Sequence, residues 1–319
     1  MSFKSRLIFL APIFAAISFA VGNPASVIAL RSFDFVLVAS LRCFIAATVL
    51  VLLGFKDIAR VLRVLDQKTF FQIMASAAAL AFHFIFWTAG LKYTTFPAAI
   101  SLVALEPIGV LIAGAIFFSH PPTKRQCVGI LIATFGAFIV SFVGGHSSAN
   151  NLHSFEGDFF VLVSIFFYSI YFTVNRKLKH APSRLGFTRE IKNPDLAFAT
   201  ILFAIAGMIS GICFLLFRAQ VTNLNFSPNT IFQQFPNIAF IALAIAGIVP
   251  TGIGHTLSQI SSRRLDPIWV GIISPGETLF SFLLGIFLLR SSPSTVEILG
   301  AAIIVLGVTV GVYQRRPPK

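Results

Sequence analysis

The sequence predicts an all-α membrane protein of ten transmembrane helices, arranged as two inverted five-helix repeats. Three observations predict it. First, 56% of the 319 residues are hydrophobic, 37 residues are Phe, only 11% are charged, and mean hydropathy is +0.89. Soluble domains carry about 25% charged residues, and a soluble core could not hide this apolar excess. Second, the apolar residues fall into ten runs of roughly membrane-spanning length. Third, sliding the chain by 171 positions superposes Glu106 on Glu277, Gly114 on Gly285, Pro122 on Pro293, Gly129 on Gly300 and Gly136 on Gly307 without a gap, and puts Lys92 on Arg263.

The runs cover about 7–30, 35–54, 69–91, 97–118, 126–143, 158–174, 195–217, 237–260, 268–289 and 297–313. A bilayer core requires about 20 apolar residues per helix. Lys4 and Arg6, followed by apolar residues and Ser18-Phe19-Ala20, resemble a secretory signal, but the run continues to Leu30 and is expected to remain as the first helix. The polar segment 144–156 divides the spans five and five, so residues 1–143 form the first expected repeat and 157–319 the second, with a short basic tail. The longest charged connector, 175–194, lies between the sixth and seventh spans, and 219–236 is polar with an Asn225-Phe226-Ser227 sequon discounted because Pro228 follows.

The net charge of +13 is gathered in short loops, as membrane anchoring requires, and no aromatic-and-basic segment suggests nucleic acid. With the N-terminus placed in the cytoplasm, 18 Lys and Arg fall inside and 5 outside, Arg290 being counted inside and Arg263 and Arg264 outside. That bias predicts both ends inside and an even number of spans. Five helices per copy is an odd number, so the second copy enters from the opposite side. Inverted repeats of this kind recur in secondary transporters, with a site near the midplane between the halves.

Candidate functional residues follow. Glu106 and Glu277 lie near the middle of the fourth and ninth spans. An intramembrane acid is expensive and marks a site unless it serves only as an interhelical hydrogen bond. Arg42, inside the second span, either pairs with an anion or stretches toward the interface near Asp34; a substrate carboxylate is a third reading. His83 and His255 are intramembrane, and in the repeat register His83 falls one position from His255. Either relays protons or packs through a hydrogen bond. Trp87, Tyr168, Tyr171 and Trp269 supply aromatic surface with a polar handle; Trp87 and Tyr171 either line a cavity or pack against lipid, and Trp269 is a candidate interfacial anchor. Breaks are expected at Gly22-Asn23-Pro24, at 247–254 with Pro250, at Ser274-Pro275-Gly276 and at Pro107, as hinges or cavity walls. Gly114, Gly129, Gly136, Gly285, Gly300 and Gly307 are read as close-packing positions. Cys43, Cys127 and Cys213 are read as small buried hydrophobes. No cofactor or metal is called for.

GLKYTTFPAAISLVALEPIGVLIAGAIFF followed by GILIATFGAFIVSF, and SRRLDPIWVGIISPGETLFSFLLGIFLL followed by GAAIIVLGVTVGVY, resemble the EamA-type, ten-helix members of the drug/metabolite transporter superfamily over almost the whole chain. Glu106-Pro107 and Arg42 match the family's pattern; Glu277 matches, with Thr278 in place of proline. His120 and Ser291 stand where the family often has an acid. The resemblance implies a central cavity lined mainly by the first, third, fourth, sixth, eighth and ninth helices, and small organic substrates such as amino acids, often exported. The function expected is therefore a secondary active, proton-coupled transporter of small polar metabolites in a bacterial inner membrane. No GxxxxGK[ST] or HExxH motif occurs. An intramembrane enzyme and a channel or lipid flippase remain as alternatives, and a homodimer is left open.

Overall fold

The structure is a computed structural model that describes residues 10–118, 123–144, 154–178, 181, 193–221, 237–265 and 273–312. Trp269, the sequon, His120 and most of the 175–194 connector lie outside the described residues. The ten helices are α1 (Ala11–Leu30), α2 (Phe35–Val64), α3 (Gln67–Tyr93), α4 in two pieces (Phe96–Val103 and Glu106–Phe118), α5 (Lys124–Phe138, widening into Ile139–Gly144), α6 (Phe155–Lys177), α7 (Pro194–Val221), α8 (Asn237–Ala246, a π-helical Gly247–Gly254, then His255–Arg264), α9 (Ile273–Leu284, widening into Gly285–Leu289) and α10 (Thr295–Val312). Seven are long and apolar enough to cross a bilayer, α4 becomes an eighth when its pieces, bent by 43°, are joined, and α9 and α10 are shorter apolar helices.

Helix starts are set by caps that the sequence supplies. Asp34, Asp66, Thr95, Thr123 and Ser154 each accept a backbone N–H of the first turn, contacts worth about 1 kcal/mol apiece. Thr123 and Gln126 form a reciprocal capping box at α5. In the 171-residue register they become Ser294 and Glu297, which form the same box at α10, with Ser294 N–H donating to Glu297 Oε2 at 2.7 Å and Glu297 N–H to Ser294 Oγ at 3.2 Å. The repeat therefore extends to a device that the identities alone did not reveal.

Burial is inverted relative to a soluble protein. Leu52, Phe287 and Leu131 are 81%, 78% and 70% exposed, as lipid-facing side chains are. The interior is rich in Ala, Ser and Thr, such as Ala15, Ala39, Ala46, Ser76 and Ser101, because small residues let membrane helices approach closely. α5 and α10 cross on glycine: Gly129 faces Gly307 and Gly136 faces Gly300. Since 129 corresponds to 300 and 136 to 307, the crossing is two-fold symmetric. The other pairings obey the same symmetry. α1 packs against α8 and α9 as α6 packs against α3 and α4, and α2 packs against α7. Gly285 is tightly packed against Phe96, but Gly114 has nothing within 4 Å of where its Cβ would be; its helix face is open, and it is not a close-packing position.

Polar contacts assign the helix ends to faces. Thr95 Oγ1 donates to Glu297 Oε1 at 2.6 Å, so α4 and α10 start on the same side. Arg125 Nε, at the start of α5, donates to Val310 O near the end of α10 at 3.1 Å. α5 and α10 are thus antiparallel, and the copies are inverted. Arg263 and Arg264 both bind Asp195 at the start of α7. They therefore lie on the face of the 6–7 connector, opposite to the side first counted for them, and Arg290, in the turn between α9 and α10, lies on the other face. The count changes accordingly: one residue leaves the 18 and two join, giving 19 against 4. Lys92 and its repeat partner Arg263 then sit on opposite faces, as inversion requires.

Candidate functional site

Two prolines and one hydroxyl each shape the site. Pro107 has no N–H to offer the carbonyl of Val103, four residues earlier, and its ring crowds that oxygen. α4 breaks there, and the freed Val103 carbonyl accepts a hydrogen bond from Ser274 Oγ at 3.2 Å. Val103 and Ser274 occupy the same position of the repeat, so this contact lies at the symmetry axis. Three residues beyond each are Glu106 and Glu277. In α9 the equivalent of Pro107 is Thr278, whose N–H is available, and α9 runs unbroken through it. Pro275 and Gly276 fall in the first described turn of α9. Pro250 repeats the chemistry of Pro107 in α8. Its missing N–H frees Ala246 O, which accepts from Thr251 Oγ1 at 2.9 Å, inside the π-helical segment. The break expected at Gly22-Asn23-Pro24 is absent: α1 is continuous, held between α8 and α9, with Gly22 against the Pro250 ring.

These elements enclose a cavity of about 20 Å³, lined by Phe19 and Asn23 of α1, Arg42 of α2, His83, Phe84 and Trp87 of α3, Val103 and Glu106 of α4, Tyr168 of α6, Pro250 and His255 of α8, and Glu277 of α9. That volume holds about one water, so the site has no room for a larger molecule in this conformation. Both glutamates are 5% exposed. Glu277 Oε1 accepts from Asn23 Nδ2 at 2.8 Å, and the same amide nitrogen donates to Ser281 Oγ at 3.0 Å. Among the described residues no hydrogen bond reaches the Glu106 carboxyl.

Arg42 is 3% exposed and does not snorkel. Asp34 is occupied elsewhere, capping α2 through Val36 N–H and Leu37 N–H. Arg42 Nε donates to Thr251 Oγ1 at 2.8 Å, its guanidinium sits 4.0 Å from the Phe84 ring centroid, and Nη1 has no partner. The two histidines meet across the cavity with ring centroids 6.3 Å apart. His83 Nδ1 donates to Ser164 O at 3.0 Å, which leaves Nε2 as the acceptor nitrogen. His255 lies among Phe19, Phe84 and Tyr171, with centroids at 4.7, 5.1 and 5.7 Å.

Of the residues singled out from sequence, Glu106, Glu277, His83, His255, Arg42, Trp87, Asn23 and Pro250 line this one cavity. Tyr171 lies one layer away: its hydroxyl accepts from Gln259 Nε2 at 3.0 Å. Below it, Arg263 binds Asp195 Oδ1 at 2.6 Å and also Asn175, tying α6, α7 and α8 together on the 6–7 face. Thr251, Ser281, Gln259, Phe19 and Phe84 were missed. Thr251 was readable as the hydroxyl following a mid-helix proline; Phe19 and Phe84 carry no signal that sets them apart among 37 phenylalanines.

A polar cavity closed between inverted five-helix repeats defines a membrane transport protein. The chain belongs to the EamA-like transporter family, whose description matches residues 6–142 and again 155–313. It is similar to the uncharacterized transporter YyaM of Bacillus subtilis (strain 168), 22% identical over 275 residues, or 86% of this chain and 83% of that protein. It is also similar to the uncharacterized transporter YxxF of the same organism, 24% identical over 251 residues, or 79% and 72%. One solved crystal structure, at 19% identity, covers 97% of this chain and 96% of its own with a TM-score of 0.60, a likeness of fold.

Proposed function

We propose that the protein is a secondary active carrier that exports a small polar metabolite across a bacterial inner membrane by alternating access, coupled to protons, with both termini in the cytoplasm. The observation that carries this reading is the convergence of Glu106 and Glu277, one from each repeat, on a single buried cavity. Two ionised carboxylates in one enclosed space repel each other. A proton or a cationic group between them relieves that repulsion, so their occupancy responds to whichever side the cavity opens toward.

The unequal partners of the two acids divide the work. Glu277 is held by Asn23, whereas Glu106 has freedom to exchange what it binds. The Arg263–Asp195–Asn175 cluster closes the 6–7 face below the cavity and has to part for the site to open there. The lysine and arginine bias of 19 against 4 supports a cytoplasmic placement of that face. The family and the relatives' names are those of transporters, which favours a carrier over an enzyme.

The test is reconstitution in liposomes with an imposed pH gradient and a tracer panel of amino acids, nucleosides, sugars and amines. Wild type should move a panel member faster with the gradient than without it. Glu106→Gln should abolish the gradient dependence. Identical flux in both proteins, with and without the gradient, would overturn proton coupling through Glu106.

A further inference from the structure

Arg42 is a buried cation whose hydrogen bonds are incomplete. A buried guanidinium costs several kcal/mol unless paired. Here its Nε edge is met by Thr251 and one face by Phe84, but the Nη end, the fork that pairs with oxyanions, is left open at Nη1. No carboxylate forms an ion pair with Arg42 among the described residues. Asp34 is engaged with the α2 N-terminus, and Glu277 with Asn23. A residue kept only to hold α2 against α8 would do so better as an apolar side chain of similar volume. Instead the guanidinium is fixed on two sides, with Nη1 left unpartnered beside the space that the repeats share.

We infer that Arg42 is the anion-recognition residue of the carrier: the transported molecule bears a carboxylate, which docks on the free Nη end of Arg42. This deepens the carrier reading and rests on it. Thr251 is a positioning residue. Its hydroxyl donates to Ala246 O, which Pro250 deprives of its i+4 donor, and accepts from Arg42 Nε, so the site of docking is fixed to the π-helical segment of α8. Docking gives Nη1 the acceptor it lacks and Arg42 a directly hydrogen-bonded anion, so the loaded cavity costs less to enclose than the empty one. Molecules that lack the oxyanion gain nothing from this and are excluded.

The experiment compares acids with their neutral amides on the purified full-length protein by thermal shift. The probes are L-phenylalanine and L-phenylalaninamide, succinate and succinamide, and benzoate and benzamide. Acid members should raise Tm and amide members should not, a comparison on wild type that needs no variant. In Arg42→Gln the acid affinity should fall about ten-fold or more, with Arg42→Lys retaining part of it. An amide that binds as tightly as its acid, acid binding unchanged in Arg42→Gln, or no acid in the set binding would each overturn the inference. The liposome assay separates the two readings. Gradient-driven flux of an amide sinks the role of Arg42 and leaves the carrier standing, whereas acids that bind but never cross sink the carrier and leave Arg42 as an anion site.

Discussion

Adding one methyl group to the α5–α10 crossing should separate the two helices. A Cβ on Gly307 would press closest on Ala133 N and lie 2.7 Å from Gly129 O and 2.9 Å from Ala133 Cα, and a Cβ on Gly129 would lie 2.6 Å from Gly307 O and from Gly311 Cα. Comfortable carbon–oxygen contacts are about 3.3 Å or more, so the oxygen contacts alone demand roughly 0.6–0.7 Å of extra separation, and the Ala133 contact demands more. The atoms in the way are backbone and have no rotamer to escape into. A gap of that size forfeits a quarter to a half of each dispersion contact along the seam, and overpacking of this kind costs about 1–3 kcal/mol. Gly129→Ala and Gly307→Ala should each lower the thermal unfolding temperature of the detergent-solubilised protein by a corresponding amount. The double variant should cost less than the sum, because the first separation makes room for the second methyl. Gly114→Ala is the control: it meets nothing within 4 Å and should leave stability unchanged or raise it slightly through helix propensity. Wild-type melting of both crossing variants, or an equal fall in Gly114→Ala, would refute the symmetric glycine seam.

Three further outcomes are expected. Thr251→Ala leaves Arg42 Nε without its partner and should destabilise by about 1–3 kcal/mol, with Thr251→Ser restoring most of it; equal melting of the two variants counts against the linkage. Asn23→Ala removes the 2.8 Å contact to Glu277 and the 3.0 Å contact to Ser281, and should cost about 1–3 kcal/mol, whereas Ser281→Ala, which leaves Glu277 bonded, should cost less in the same thermal assay. Asp195→Asn strips the charge from the pair with Arg263, whose side chain is 3% exposed, and should cost about 3 kcal/mol or more; Arg264→Ala, at 53% exposure, should stay below about 1 kcal/mol, and a reversed order would show that the cluster is not what closes the 6–7 face.

Much of the fold was legible because the bilayer imposes length and composition, and duplication prints the same constraint twice. Glu106 and Glu277, the glycines of α5 and α10 and the inversion all follow from that. What was not legible depends on packing direction. Arg42 could snorkel or stay buried, and only the approach of Thr251 and Phe84 decided it. Gly114 and Gly285 share a register position, yet only Gly285 meets a neighbour. Pro24 and Pro250 are both mid-helix prolines, but α1 stays regular between its neighbours while α8 widens, and a single sequence does not say which neighbour supplies the support. The faces of Arg263, Arg264 and Arg290 follow from the order of the ten spans, and the Asp195 contacts of the first two agree with that order.

The departures from symmetry bear on how the halves would move. Inverted repeats are expected to exchange conformations, each taking the shape of the other. At the cavity, the irregular helix of the first repeat is α4, broken before Pro107, whereas its equivalent α9 is unbroken at Thr278, which supplies the N–H that Pro107 lacks, and widens only further on, at Gly285–Leu289. The irregular helix that the second repeat brings to the cavity is α8, whose π-helical Gly247–Gly254 corresponds to residues 76–83 of a regular α3. Each half therefore contributes one compliant helix to the cavity, and not the same one. Wide turns of this type concentrate where a helix must yield. The break in α4 carries Glu106 and the wide segment of α8 carries Thr251, which grips Arg42, so the compliance lies beside the free acid and the open guanidinium. The Asn23–Glu277 contact joins two unbroken helices, α1 and α9. Motion in this cavity is thus expected to carry Glu106 and Thr251 past a fixed α1–α9 wall, so that one acid changes its surroundings while its twin serves as the reference.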